Sequence, residues 1–157
     1  MKNNKITLLI AIAFILAACG QQTTINEPAP VGEATDIGED MTLTILEVTR
    51  PANFILNEPS QPDFEYAIIK LRIQCDKPTD RTCNFAPGDM KFADQNGIIA
   101  EGEAVQYSSI DMLDWITEIS GGETMEGNVV LLTSKGGKPA LLVYQTLYGS
   151  PSYFAIP

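Results

Sequence analysis

The segment Phe64–Cys75, with the sequence FEYAIIKLRIQC, carries the clearest structural signal in the chain. Every second residue of a β-strand points to the same side, so a strand buried on one side alternates apolar and polar residues. One side of this segment is apolar and consists of Ala67, Ile69, Leu71, Ile73 and Cys75. The other side carries Lys70, Arg72 and Gln74 behind Tyr66 and Ile68. The pattern predicts a long strand with one face in a core.

Shorter segments of similar character lie on both sides of this strand. Met41–Ile45 alternates apolar and polar residues, and Asn96-Gly97 is typical of a tight hairpin turn between Met90–Phe92 and Ile98–Ala100. Further strands are predicted over Thr124–Thr133, Ala140–Thr146 and Ser152–Ile156, with glycine-containing turns between them. About seven to nine short strands in this arrangement favour an all-β, antiparallel β-sandwich.

The segment Ser108–Ser120 fits two patterns. Ile110, Leu113 and Ile116 have helical spacing, whereas the residues from Leu113 to Ile119 alternate as in a strand. We expect one short helical turn followed by a strand.

Composition excludes several classes of function. The 157 residues include 20 acidic and 10 basic side chains, for a net charge of −10, and no histidine. A nucleic-acid-binding protein needs a basic surface, so no nucleic-acid partner is expected. Catalysis by Ser-His-Asp or Cys-His groups, and zinc binding through histidine, are excluded because each requires an imidazole.

The amino-terminal residues are typical of an export signal. Lys2 and Lys5 precede the apolar run Ile6–Ala18, which is too short for the roughly 20 residues of a membrane-spanning helix. Leu16-Ala17-Ala18-Cys19 resembles a bacterial lipobox. The resemblance implies diacylglycerol on the Cys19 thiol, cleavage before Cys19 and acylation of the new amine. The alternative is an ordinary secretory signal with a coincidental cysteine.

The chain therefore divides into three predicted parts. Residues 1–18 form a lipoprotein signal peptide, residues 19–30 a lipidated cysteine and flexible tether, and residues 31–157 the β-sandwich domain. The alternative for the tether is that part of it packs on the domain. Removal of residues 1–18 takes away two lysines and no acidic residue, so the net charge becomes −12. Residue 20 is Gly rather than Asp, which favours the outer membrane in double-membraned bacteria. In a single-membrane cell the anchor would lie in the outer face of the plasma membrane.

Four segments resemble one protein family in their order and spacing. They are Val31-Gly32-Glu33, Phe64–Ile73, Phe92–Gly97 and Gly121–Val130. The chain resembles the immunoglobulin-like, telokin-like family of secreted bacterial proteins that includes the immunoprotective extracellular antigen. The resemblance implies an immunoglobulin-like sandwich from about Val31 to Ile156 and brings no catalytic residues, because none is established for the family.

Cys75 and Cys83 are the cysteines that remain besides Cys19. The exported compartment permits disulfides, and the intervening DKPTDRT is polar and typical of a turn. We expect a structural disulfide between them. A redox pair is the alternative, but it usually requires Cys-x-x-Cys near the start of a helix.

Asp94, Asn96 and Glu103 have part of the spacing of a calcium-binding loop around Gly97. The first ligand position would be Phe92, and the flanking segments are predicted strands, so we prefer the hairpin interpretation. The carboxylate pairs Asp111/Asp114 and Glu101/Glu103 are interpreted as solvated surface groups. No cofactor and no enzymatic activity are expected.

Two loops are candidates for a binding surface. Phe54, Ile55 and Leu56 are consecutive apolar residues in a proline-rich loop, and they either close one end of the sandwich or form a sticky patch. The second candidate is the segment from Tyr107 to Trp115.

The sequence thus predicts a lipid-anchored binding module of the cell envelope that contacts another envelope protein. The negative charge disfavours anionic lipid surfaces and favours basic partners or cations. The alternative is a lipoprotein that binds a small molecule or a cation and serves a transporter.

Overall fold

The computed structural model describes residues 23–52, 58–59, 62–94, 96–97, 102–108, 110–135 and 141–156. No helix in these ranges is long and apolar enough to cross a membrane.

The described residues form ten strands and one short 3₁₀ turn at Pro87–Asp89. The strands are β1 (Ala34–Gly38), β2 (Met41–Thr49), β3 (Phe64–Cys75), β4 (Thr82–Phe85), β5 (Met90–Ala93), β6 (Gly102–Val105), β7 (Thr117–Ser120), β8 (Thr124–Ser134), β9 (Leu141–Tyr144) and β10 (Ser152–Ala155).

All strand pairs are antiparallel. One sheet has five strands in the order β1-β2-β3-β8-β6, and the opposing layer contains the sheet β10-β9-β5 and the pair β4-β7. Both layers contribute to one hydrophobic core, so the predicted all-β antiparallel sandwich is confirmed.

Strand β3 lies in the middle of the five-stranded sheet, between β2 and β8. Its predicted apolar face is fully buried and meets Met90, Phe92, Leu142 and Phe154 of the opposing layer in one core cluster. At 12 residues, β3 is also the longest of the described strands, in agreement with its long alternating segment.

The predicted disulfide joins Cys75, at the end of β3, to Cys83 in β4. The Cα atoms are 5.7 Å apart, within the usual range for a disulfide. The bond therefore ties the five-stranded sheet to the opposing layer through the short loop 76–82.

We expect the double variant Cys75→Ala, Cys83→Ala to have a free energy of unfolding about 2–3 kcal/mol lower than the wild type, because the loop is then open in the unfolded chain. Urea unfolding followed by circular dichroism would measure the difference, and the wild type in a thiol reductant should lose a similar amount. Equal midpoints for reduced and oxidised protein would contradict this expectation.

The amino-terminal strap, which we define as residues 23–29, packs on the domain. The Tyr153 N–H donates to Oγ1 of Thr23 (2.8 Å), and the buried Ala29 exchanges backbone hydrogen bonds with Tyr153 and Ala155 (2.9 and 2.8 Å). Ile25 packs with Tyr153 against the outer face of the sheet β10-β9-β5. Much of the segment predicted as a free tether therefore lies against β10 instead, whereas residues 19–22 fall outside the described residues.

The segment Ser108–Ser120 differs in part from the prediction. Its strand is present as β7, but the described residues before it form no helical turn. Instead, Met112 forms a parallel bridge with Asn128, and the Leu113 N–H donates to the Asn128 carbonyl (3.0 Å). The open edge of β8 supplies hydrogen-bond partners for the backbone N–H and C=O groups of this segment. A single helical turn would have to pair these groups internally.

The turn at Asn96-Gly97 is present, with Gly97 at a φ of +78°. The expected return strand, Ile98–Ala100, lies outside the described residues. The next described strand, β6, pairs with β8 of the other sheet.

Candidate functional site

The predicted binding residues have different environments. Phe54, Ile55 and Leu56 lie outside the described residues. Tyr107 is half-buried, and its ring meets the ring of Tyr66 edge-on, with centroids 5.5 Å apart. Trp115, by contrast, is 52% exposed, and its neighbour Ile116 is 68% exposed.

Tyr107 belongs to a second hydrophobic cluster on the outer face of the five-stranded sheet. Its buried members are Ala52, Ile68 and Val130, and the segment 107–112 contributes Tyr107, Ile110 and Met112. The aromatic ring of Tyr107 therefore stabilises the packing of this segment, and of the two predicted aromatic residues only Trp115 presents most of its ring to solvent.

The acidic corner, as we call it, comprises Trp115 and Ile116 with four carboxylates, those of Asp111, Asp114, Glu118 and Glu126. It lies where the chain leaves the β8 edge and enters β7. The four carboxylates line a shallow depression of about 200 Å³ together with Met112, Leu113, Thr117, Met125 and Gly127.

Hydrogen bonds from side chains to backbone carbonyls hold this corner in place. The Asn128 side-chain amide donates to the Asp111 carbonyl (2.7 Å), and the Thr117 hydroxyl donates to the Asp114 carbonyl (3.1 Å). Leu113 packs directly on Gly127, where a Cβ atom would come within 2.7 Å of the leucine Cγ. The exposed pair Trp115–Ile116 is thus carried by a segment fixed on both sides.

The basic side chain of Arg72 contacts the corner. Arg72 donates through Nε and Nη2 to Oε1 of Glu126 (2.8 and 2.6 Å), and both side chains are about half exposed. This ion pair leaves three of the four carboxylates without that guanidinium, so the depression keeps a net negative charge at neutral pH.

A second exposed surface lies on the β9–β10 loop, residues 145–151. Leu147 is 84% exposed and Tyr148 is 96% exposed. A groove of about 460 Å³ separates this loop from the β1–β2 turn and is lined by Asp36, Ile37, Gly38, Glu39, Thr146, Tyr148, Gly149, Ser150, Pro151 and Ser152. This surface is not among those predicted from the sequence, although two large apolar residues before Gly-Ser-Pro between two strands could have indicated it.

Among the described residues of the groove lining, the charged side chains are two carboxylates, those of Asp36 and Glu39. Oδ1 of Asp36 accepts the Gly38 N–H (2.8 Å), and the Ser152 hydroxyl donates to the Asp36 carbonyl (3.4 Å). Glu39 lies in the adjacent turn at positive φ. The groove therefore has an acidic side next to an apolar loop tip.

The acidic corner and the β9–β10 loop lie at opposite lateral edges of the sandwich. The groove is lined by residues of β1. The corner lies next to the edge of β8 near Asn128, on the side where β6 pairs with a later part of the same strand. Four strand-to-strand steps of about 4.8 Å place the two edges roughly 19 Å apart. The strap binds β10, next to the groove.

In the candidate calcium site, the Asp94 carboxylate takes part in a hydrogen bond within its own turn. Oδ1 of Asp94 accepts the Asn96 N–H (2.8 Å), as in a side-chain-stabilised turn. The side chain of Glu103 is outside the described structure, and within the described ranges no three acidic or cysteine side chains are grouped to hold a metal ion.

Two titratable groups near the β1–β2 turn are shifted. Burial raises the pKa of Asp89, with Lys91 lowering it and Glu39 raising it again. Burial also raises the pKa of Tyr144, whose ring stacks on Phe85 (centroids 5.1 Å apart). The Asp89 and Glu39 charges raise the Tyr144 pKa further, whereas the Ala86 backbone lowers it.

The sequence matches no protein-family model and no curated protein. Two solved structures have a similar fold. The secreted protein MPT63 from Mycobacterium tuberculosis is 12% identical, with a TM-score of 0.60 over 82% of this chain and 98% of its own. The YjhA protein from Bacillus subtilis is 16% identical, with a TM-score of 0.51 over 74% and 79%.

At these identities the likeness concerns the fold alone. The predicted fold class, an immunoglobulin-like antiparallel β-sandwich, is confirmed.

Proposed function

We propose that this chain is a lipid-anchored, non-catalytic binding module of the bacterial cell envelope that holds a basic partner protein at its acidic corner. The observation that carries the proposal is the exposure of Trp115 and Ile116 in the segment 111–118, which supplies three of the four carboxylates of the depression, at the edge opposite the strap.

Anchoring rests on the amino-terminal sequence. The apolar run and Leu16-Ala17-Ala18-Cys19 have the form of a lipoprotein signal, so Cys19 would carry the acyl chains. Two or three acyl chains hold a protein durably on a membrane. MPT63, which shares the fold, is a secreted protein, and this agrees with a location outside the cytoplasm.

The acidic corner has the properties of a recognition surface. Tryptophan is enriched among the residues that dominate binding energy, and exposed apolar side chains gain most when a partner removes them from water. The corner is held by backbone contacts, so little conformational entropy is lost on binding.

The charge of the corner selects the partner. The carboxylates attract lysine and arginine side chains, and the indole ring can accept a cation over its face. A second copy of this chain is a poor occupant, because each mature chain carries a net charge of −12 and would repel the other.

Cross-linking in intact cells tests the proposal. Full-length protein would be treated with an amine-reactive cross-linker and its attached partner identified by mass spectrometry. We expect attachment through Lys70, whose β3 position pairs with Asn128 beside the corner. Mass spectrometry should find no acyl chains on the variant Cys19→Ala, because its acyl attachment site is gone.

A charge-matched pair of variants assigns the surface. We expect Asp114→Asn with Glu118→Gln to reduce the cross-linked partner at least about tenfold, as for loss of a central electrostatic contact. Asp36→Asn with Glu39→Gln removes the same charge from the opposite edge and should have little effect. Equal reduction by both variants would contradict a specific role for the corner.

A further inference from the structure

The chain between the anchor and the fold is very short. Cys19 precedes Thr23 by four residues, which span at most about 14 Å when fully extended. Thr23 itself is fixed, because its Oγ1 accepts the backbone N–H of Tyr153. If the proposed anchor is correct, the domain cannot move far from the lipid headgroups.

The β9–β10 loop lies on the same side of the domain as this attachment. Ser152, which lines the groove, immediately precedes Tyr153. Tyr148 is five residues from Tyr153, a separation of at most roughly 17 Å along the chain. Leu147 and Tyr148, the two most exposed large apolar side chains among the described residues, are therefore close to the anchor.

The chemistry of the loop tip fits the boundary between headgroups and acyl chains. Leucine favours the apolar side of this boundary, and tyrosine is enriched there because its ring is apolar and its hydroxyl polar. Asp36 and Glu39 lie across the groove, and none of the described residues that line it is basic. Zwitterionic lipids fit such a surface better than anionic lipids, which these carboxylates repel.

We propose that Leu147 and Tyr148 dock into the interface of the membrane that carries the anchor. This inference rests on the proposed lipid anchor, and it orients the module: the anchor-side edge faces zwitterionic lipid, and the acidic corner faces away. A protein partner at this loop is the competing outcome.

The single tryptophan of the chain makes a direct test. Wild-type lipoprotein reports on Trp115, and the variant Trp115→Phe with Tyr148→Trp reports on the loop. Both would be purified with their acyl chains and placed in phosphatidylcholine vesicles with and without lipids brominated near the headgroup. Bromine quenches indole fluorescence only at short range.

We expect the position-148 reporter to be quenched at least about threefold more strongly than Trp115, in keeping with interfacial aromatic residues. Adding phosphatidylglycerol to about one third of the lipid should weaken that quenching. Replacing Leu147 by serine in the reporter variant should also weaken it. Each result would support docking of the loop.

Other results overturn the inference. Mass spectrometry first has to find diacylglycerol on Cys19, and the protein has to co-float with the vesicles. Equal quenching at the two positions, or no quenching at position 148, then contradicts docking of the loop. The proposed anchor would remain supported in that case. An unmodified Cys19 refutes the anchor itself. Cross-linking of the loop to a protein in intact cells also rejects lipid as its occupant.

Discussion

Replacement of Gly121 by alanine should lower the free energy of unfolding by at least about 3 kcal/mol, at the upper end of overpacking effects. The residue is buried in the β7–β8 turn, and its N–H donates to the Arg81 carbonyl (2.8 Å). An added Cβ would overlap the carbonyl of Pro78 and lie 2.6 Å from the Lys77 oxygen. Both are backbone atoms of the disulfide-closed loop, so neither can move aside by a rotamer change.

Gly88→Ala is the matched control for this prediction. No heavy atom lies within 4 Å of a Cβ added at Gly88, so its stability should stay within about 0.5 kcal/mol of the wild type. Urea unfolding of both variants, with the disulfide intact, would measure the difference. Similar stabilities for the two variants would show that the loop 76–82 gives way more easily than its contacts suggest.

Stability should fall steeply at alkaline pH because of Tyr144. Below pH 10 the hydroxyl is protonated in both the folded and the unfolded chain, so it adds no pH dependence. Above pH 10 the unfolded chain loses this proton, whereas burial and the charges of Asp89 and Glu39 keep the folded pKa higher. The free energy of unfolding then drops by about 1.4 kcal/mol per pH unit until the folded pKa is reached.

The variant Tyr144→Phe isolates this contribution. It keeps the stacked ring against Phe85 and removes the ionisable group, so the stability near pH 7 should change little. Unfolding curves between pH 9 and 11.5 should show a smaller alkaline loss for the variant than for the wild type. Parallel curves for the two proteins would assign the alkaline loss to other groups.

Local patterns predicted the sandwich well where one face of a strand is buried. The β3 alternation and the turn at Asn96-Gly97 depend on neighbouring residues, and both are present in the structure. For residues 23–29 the sequence favours a flexible tether over a segment packed on the domain, because these residues are mostly polar or proline. Their order comes from hydrogen bonds to a strand 130 residues away, which no local pattern encodes.

The candidate site could be predicted only in part, because it too depends on contacts between residues distant in sequence. Sequence alone singled out Tyr107 and Trp115 together, and the structure separates them into a packing residue and an exposed one. The difference depends on whether an element covers each ring, which is a tertiary property. Leu147 and Tyr148 lie between the predicted strands Ala140–Thr146 and Ser152–Ile156, and only the fold shows how exposed they are.

The contact between Thr23 and Tyr153 also constrains the order of folding. Thr23 is hydrogen-bonded to strand β10, so the strap cannot dock until almost the whole chain has been synthesised. Contacts of such long sequence separation form late and slow the search for the native topology. Until then the strap would remain accessible to proteases and chaperones, and its protection from digestion would report the moment at which the fold is complete.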